Sequence, residues 1–123
     1  MTVKKFIVYE VKSGLKFSLR AANGETIAAS EVYTSRSACL KGVASVRICA
    51  AGAALEDQTM PTGKEKCPKF ELYADKRGQF RFRLKAANGK IIAVSEGYTT
   101  KASCLAGIES VRKNASDAQV EGE

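Results

Sequence analysis

The sequence predicts an α+β fold made of two tandem β-β-β-α-β repeats, which together form one antiparallel sheet with both helices packed on one face. Three observations carry this expectation. The chain repeats itself at an offset of 64 to 65 residues, the signature of a duplicated structural unit. Within each copy, three short segments alternate apolar and polar residues, as half-buried strands do. Each copy then changes to the spacing of an amphipathic helix. At 123 residues and 45% hydrophobic, the chain can bury the core of one globular domain or of two very small ones.

The first strand is read from Phe6 and Val8 alternating with Ile7 and Tyr9, and from Phe70 and Leu72 alternating with Glu71 and Tyr73. Polar turns follow at Lys12-Ser13-Gly14 and Asp75-Lys76-Arg77-Gly78, the second one residue longer, a change that hairpin turns tolerate. The second strand alternates Leu15, Phe17, Leu19 and Ala21 with polar neighbours, and Phe80, Phe82, Leu84 and Ala86 repeat it. Asn23-Gly24 and Asn88-Gly89 then predict type I′ hairpin turns, which need positive φ at both central positions. A third strand runs through Ile27 and Ile92. Hydroxyls at Thr34, Ser35 and Ser37, and at Thr99 and Thr100, offer helix caps. Cys39, Val43, Val46 and Ala50 then fall at spacings of four, three and four, repeated by Cys104, Ile108, Val111 and Ala115. Gly52, or Asn114 and Asp117, ends the helix, and Ala53 to Glu56 and Ala118 to Glu121 supply a fourth strand. Residues 1–57 are thus the first repeat and 69–123 the second. The linker 58–68, with Pro61, Gly63 and Pro68, has no periodicity.

The paired motifs carry a resemblance. Phe17-Ser18-Leu19-Arg20-Ala21-Ala22-Asn23-Gly24 returns as Phe82-Arg83-Leu84-Lys85-Ala86-Ala87-Asn88-Gly89, Ser30-Glu31 and Tyr33-Thr34 return as Ser95-Glu96 and Tyr98-Thr99, and Ser45-Val46-Arg47 returns as Ser110-Val111-Arg112. In combination these resemble the YegP-like family of small bacterial and archaeal proteins. The resemblance implies a unit used as a tandem repeat or as a dimer of single units, with the last strands exchanged so that one sheet forms. No biochemical activity comes with the family name.

Composition excludes several chemistries. With no His and no Trp, every Ser-His, Cys-His and His-metal arrangement is absent. The four cysteines include no C-x-x-C pair. Cys39 and Cys104 are expected to act as small hydrophobes on the helix faces, while Cys49 and Cys67 flank the linker and leave a redox bridge open. No stretch approaches the ~20 apolar residues of a membrane span, and the first residues lack the apolar core of a secretory signal, so a cytoplasmic protein is expected. No catalytic residue, cofactor or metal ligand is assigned. Ser30-Glu31-x-Tyr33-Thr34 and its repeat are read as cap and packing residues, with the Glu near the positive end of the helix dipole.

The formal net charge is +7, from 20 Lys and Arg against 13 Asp and Glu. Both repeats are basic. If the alternating apolar residues face the helices, Lys16, Ser18, Arg20, Arg81, Arg83 and Lys85 point to the opposite side of the sheet, with Tyr9 and Tyr73 on neighbouring strands. The candidate binding face is therefore Tyr9, Lys16, Arg20, Tyr73, Arg81, Arg83 and Lys85. Cations interleaved with rings suit single-stranded nucleic acid, whose phosphates follow the charges and whose bases stack. A solvated face kept soluble by its charges fits the same residues. The function expected is a non-enzymatic binding module with weak nucleic-acid contact, the alternative being a protein-interaction or stress-related module with none. The expected assembly is a monomer with internal two-fold pseudo-symmetry, or a weak homodimer.

Overall fold

The computed structural model describes residues 4–21, 23–61, 63–115 and 118–122. The elements run β1 (Lys5–Val11), β2 (Gly14–Arg20), β3 (Thr26–Ala29), α1 (Arg36–Ala50) and β4 (Ala54–Asp57), then β5 (Lys69–Ala74), β6 (Phe80–Lys85), β7 (Ile91–Val94), α2 (Lys101–Ala115) and β8 (Gln119–Gly122). All eight strands join one sheet in the order β4-β5-β6-β7-β3-β2-β1-β8. The order is symmetric about the β3–β7 seam, where Ala29 pairs with Val94. The last strand of each copy lies against the first strand of the other, β4 on β5 and β8 on β1.

This exchange corrects one expectation. The sheet is mixed, because β4–β5 and β1–β8 pair in parallel while the inner pairs are antiparallel. Tight hairpins force antiparallel pairing, whereas a strand reached through a helix is free to meet its neighbour with either polarity. Asn23-Gly24 and Asn88-Gly89 differ from expectation as well. Gly24 and Gly89 have φ of 87° and 83°, but among the described residues no non-glycine has positive φ, so the turns are not type I′. Ala21 N donates to Glu25 O and Gly24 N to Ala21 O, both at 2.9 Å, with Ala86, Lys90 and Gly89 repeating the pattern. This is a three-residue hairpin loop with glycine in the left-handed position. Each Asn instead accepts a bond from the backbone N–H two residues on, Glu25 N to Asn23 Oδ1 and Lys90 N to Asn88 Oδ1, both at 3.0 Å. That is an Asx turn.

Both helices start where hydroxyls were expected to cap them. Ala38 N donates to Ser35 Oγ and Ser103 N to Thr100 Oγ1, each at 3.1 Å. Asp117, an expected stop, lies outside the described residues. Cys39, Val43, Val46 and Ala50 are buried, as are Cys104, Ile108, Val111 and Ala115. Beneath them the sheet presents Phe6, Val8, Phe17 and Leu19 from one copy and Phe70, Leu72, Phe82 and Leu84 from the other. Phe6 meets Phe17 edge-on with centroids 5.8 Å apart, and Phe70 meets Phe82 at 5.9 Å, an arrangement the ring quadrupoles favour.

Two arginines that the sequence reading passed over tie the exchange together. Arg47 of α1 lies 5.5 Å over the Phe6 ring and donates from Nη2 to Ala118 O at the entry to β8. Arg112 of α2 lies 4.9 Å over Phe70 and donates from Nη1 to Ala50 O at 3.1 Å, where α1 ends and the chain leaves for β4. Each side chain adds a cation–π contact and a carbonyl cap at a crossing point between the copies. Among the described residues no helix is long and apolar enough to cross a membrane.

Candidate functional site

Strand alternation puts the residues expected on the open face there, but in two groups. Tyr9 faces Lys16, Ile7 faces Ser18, and Lys5 faces Arg20 on β1–β2. Tyr73 faces Arg81, Glu71 faces Arg83, and Lys69 faces Lys85 on β5–β6. Between β2 and β6 lie β3 and β7, so the groups are three inter-strand steps apart, about 14 Å. They do not form one continuous basic strip.

The second-copy group is internally neutralised. Glu71, 2% exposed, accepts from Arg83 Nε at 2.5 Å, Lys69 Nζ at 3.1 Å and Lys85 Nζ at 3.2 Å. Lys69 also pairs with Glu56 at 2.8 Å, and both of these side chains are buried. Glu56 further accepts from Gln58 Nε2 at 2.6 Å and from Glu65 N at 2.7 Å, which brings the segment after β4 across this part of the sheet. Arg81 is held by Asp75 at 2.8 Å, and the guanidinium of Arg83 covers the Tyr73 ring at 4.5 Å. The bonds from Gln58 and Lys69 hold the Glu56 carboxyl down to about 2. Burial pushes the Glu71 carboxyl up, and Arg83, Lys69 and Lys85 outweigh it, leaving it below the ordinary range. Arg81, Arg83 and Lys85 are thus each engaged with a carboxylate. A depression of about 480 Å³ beside the β5–β6 turn is lined by Tyr73, Asp75, Lys76, Arg77 and Arg81, where Asp75 already accepts from Arg81 Nε and Arg77 N.

The first-copy group is different because two side chains differ. Ile7 stands where the second copy has Glu71, and Ser18 stands where it has Arg83. The short serine leaves open the space that a guanidinium fills in the other half. The result is a groove of about 510 Å³ lined by Ile7, Tyr9, Lys16, Ser18, Arg20, Thr26, Ala29 and Glu96. Among the described residues Lys16 and Arg20 make no ion pair, and no cation lies over the Tyr9 ring. Lys5, by contrast, is bound to Glu121 of β8 at 3.0 Å. Of the seven expected binding residues, the structure thus brings Tyr9, Lys16 and Arg20 together at one groove.

The repeated Ser-Glu-x-Tyr-Thr segments have structural work. Ser30 Oγ accepts from Phe17 N at 2.9 Å and donates to Glu31 O at 2.7 Å, and Ser95 does the same between Phe82 N and Glu96 O. Tyr33 and Tyr98 stack on Phe17 and Phe82 and set their hydroxyls against Gly42 of α1 and Gly107 of α2. Glu96 lines the groove instead of the helix start, and neither helix has an acidic residue in its first turn. All four cysteines are free thiols, so Cys49 and Cys67 are not bridged. Burial pushes the Cys39 thiol up and the Cys104 thiol to about 11.

Sequence reasoning missed Glu56, Lys69, Glu96 and the Ile7–Ser18 pair. The signal for the last was present. Glu71 and Arg83 fall on directly opposed strand positions, and placing copy one beside copy two shows an aliphatic side chain and a small hydroxyl at the same places.

Comparison with known proteins gives a consistent picture. Residues 14–57 and 75–121 match the family described as "Domain of unknown function (DUF1508)". A UPF0339 protein of Treponema denticola is 69% identical over 52 residues, covering 42% of this chain and 90% of that protein, which is one repeat in length. The UPF0339 protein YegP of Escherichia coli K12 is 41% identical over 102 residues, 80% of this chain and 77% of that one. The solution NMR structure of E. coli YegP, described as a protein of unknown function, superposes with a TM-score of 0.82 at 33% identity, covering 100% of this chain and 95% of that one.

Proposed function

The chain belongs to the DUF1508 family, which brings no activity with it, and from that premise we propose that it is a non-enzymatic binding module contacting single-stranded nucleic acid weakly through the β1–β2–β3 part of its open face. One observation carries the reading. Lys16 and Arg20, the two cations of this face left without an ion pair among the described residues, flank a groove with the uncovered ring of Tyr9. Unpaired cations attract phosphates and an exposed ring stacks a base without regard to sequence. Among the described residues no hydrogen bond joins the Ser18 or Thr26 hydroxyl to Lys16 or Glu96 in the groove, which favours binding over catalysis.

Of the cations lining this groove, Lys16 and Arg20 make no ion pair among the described residues, and with two charges to neutralise phosphates the contact is modest and its salt dependence shallow. On the scale of about −0.7 per phosphate for single strands, the slope of log K against log salt is about −1.4. The test is binding of a fluorescently labelled oligonucleotide from 50 to 200 mM salt. Lys16→Gln with Arg20→Gln should weaken binding and flatten the slope, whereas Tyr9→Ala should weaken binding and leave the slope nearly unchanged. No binding by the unaltered protein at about 50 mM salt would reject the reading in favour of a protein-interaction module.

A further inference from the structure

The two halves of the open face are related by the repeat, so each is a reference for the other. In the second copy the place above the tyrosine ring is filled from within: Arg83 reaches from β6, sets its Cζ 4.5 Å from the Tyr73 ring centroid and closes onto Glu71. In the first copy the corresponding floor is Ile7 and Ser18, and among the described residues no cation lies over the Tyr9 ring, which lines the groove. We infer that this place is the chain's single binding site, that it takes one neutral planar ring bearing an anionic group, as a nucleotide does, and that the Glu71–Arg83 pair is a built-in occupant closing the twin site.

The chemistry of the walls selects this ligand, given the nucleic-acid reading above on which the inference rests. A flat group over a tyrosine gains from stacking, and Arg83 shows that the fold accommodates a planar group of guanidinium size there. A cation suits the second copy because Glu71 lies beside it. The first copy has an aliphatic Ile7 beside Tyr9 instead, so a neutral ring fits there, and the carboxylate that lines the groove, Glu96, follows β7, three strands from the β1 that carries Tyr9. Lys16 and Arg20 stand four residues apart on β2, about 13 Å, and each offers charge to an anion attached to the ring. Ser18, largely buried at the groove floor, supplies a hydroxyl that both donates and accepts at the ring's edge.

The experiment is a titration of the full chain with a short single-stranded oligonucleotide, followed by amide chemical shifts and by calorimetric stoichiometry. In the unaltered protein the shifts should fall on residues 5–29, with one ligand per chain. Ile7→Glu with Ser18→Arg copies the closed twin into the open half and should weaken binding by about tenfold or more, with the thermal melt showing a folded protein. Glu71→Ile with Arg83→Ser copies the open half into the closed twin, frees Lys85, and should uncover Tyr73 and raise the stoichiometry toward two. If either double variant does not fold, the shift map of the unaltered protein and the other variant decide the matter. Binding mapped to β5–β6, or undiminished in a folded Ile7→Glu and Ser18→Arg double variant, would overturn the inference, and the former also the placement on β1–β2–β3, while nucleic-acid binding itself would stand. Failure of the unaltered protein to bind any oligonucleotide would overturn both.

Discussion

Glu71→Gln separates the two halves of the open face by experiment. Glu71 is buried and accepts from three cations, so the amide leaves Arg83 and Lys85 without their carboxylate and Lys69 with Glu56 alone. Removing one partner of a fully buried ion pair costs about 3–5 kcal/mol. Here the Arg83 and Lys85 side chains are 29% and 26% exposed, so water compensates part of the loss and about 2–3 kcal/mol is expected. For a domain of this size that lowers the melting temperature by roughly 6–12 °C. The same change frees two cations for phosphate, so the salt slope of oligonucleotide binding should steepen from about −1.4 to about −2.8. Chemical denaturation gives the first quantity and a salt titration the second. A stability loss under about 0.5 kcal/mol, within the ordinary range for surface substitutions, would show that the network does not hold β5 and β6 together. An unchanged slope would show that Arg83 and Lys85 are available to phosphates already.

Two further expectations follow from particular contacts. Glu56 titrates near 4.5 when unfolded and is held at about 2 when folded; a depressed carboxyl contributes stability that is complete above the unfolded value and disappears as pH falls toward the folded one. The melting temperature should therefore drop between about pH 5 and pH 2, and less so in Glu56→Gln, whose baseline at neutral pH is lower. Gly42→Ala would drive a methyl group into Tyr33 Oη, an overpacking expected to cost about 1–3 kcal/mol; adding Tyr33→Phe removes the oxygen and should restore part of that, as a double-mutant cycle would measure.

The parts of the fold set by short-range periodicity could be read from the chain alone. Phe17 and Leu19 alternate because one sheet face is buried, and Cys39, Val43 and Val46 recur because one helix face is. The duplication let each weak pattern check the other. Polarity at β4–β5 and β1–β8 was not legible, since no hairpin constrains a strand reached through a helix. The Asn-Gly turns misled because the same dipeptide suits a three-residue loop with glycine alone left-handed. At the open face, alternation placed Arg81, Arg83 and Lys85 on the correct side, but a side chain's face does not reveal its partner. Glu71 was visible on that face and its pairings were not, while Glu56 arrives by strand exchange from the other copy. Arg47 and Arg112 stood in a repeated motif, yet their role depends on crossings that local pattern does not encode.

The exchange of β4 and β8 has a consequence for how the two copies can diverge. Neither repeat completes its own sheet, because Ala54–Asp57 finishes the second copy and Gln119–Gly122 the first, so damage to either core reaches the other through the shared strands. The side of the sheet away from the helices escapes that bond. There, a glutamate and an arginine in one copy correspond to an isoleucine and a serine in the other without altering a backbone pairing. Joint dependence of the interiors thus coexists with freedom of the outward surfaces, so that one duplicate carries an ion-pair network where its sibling carries an open groove.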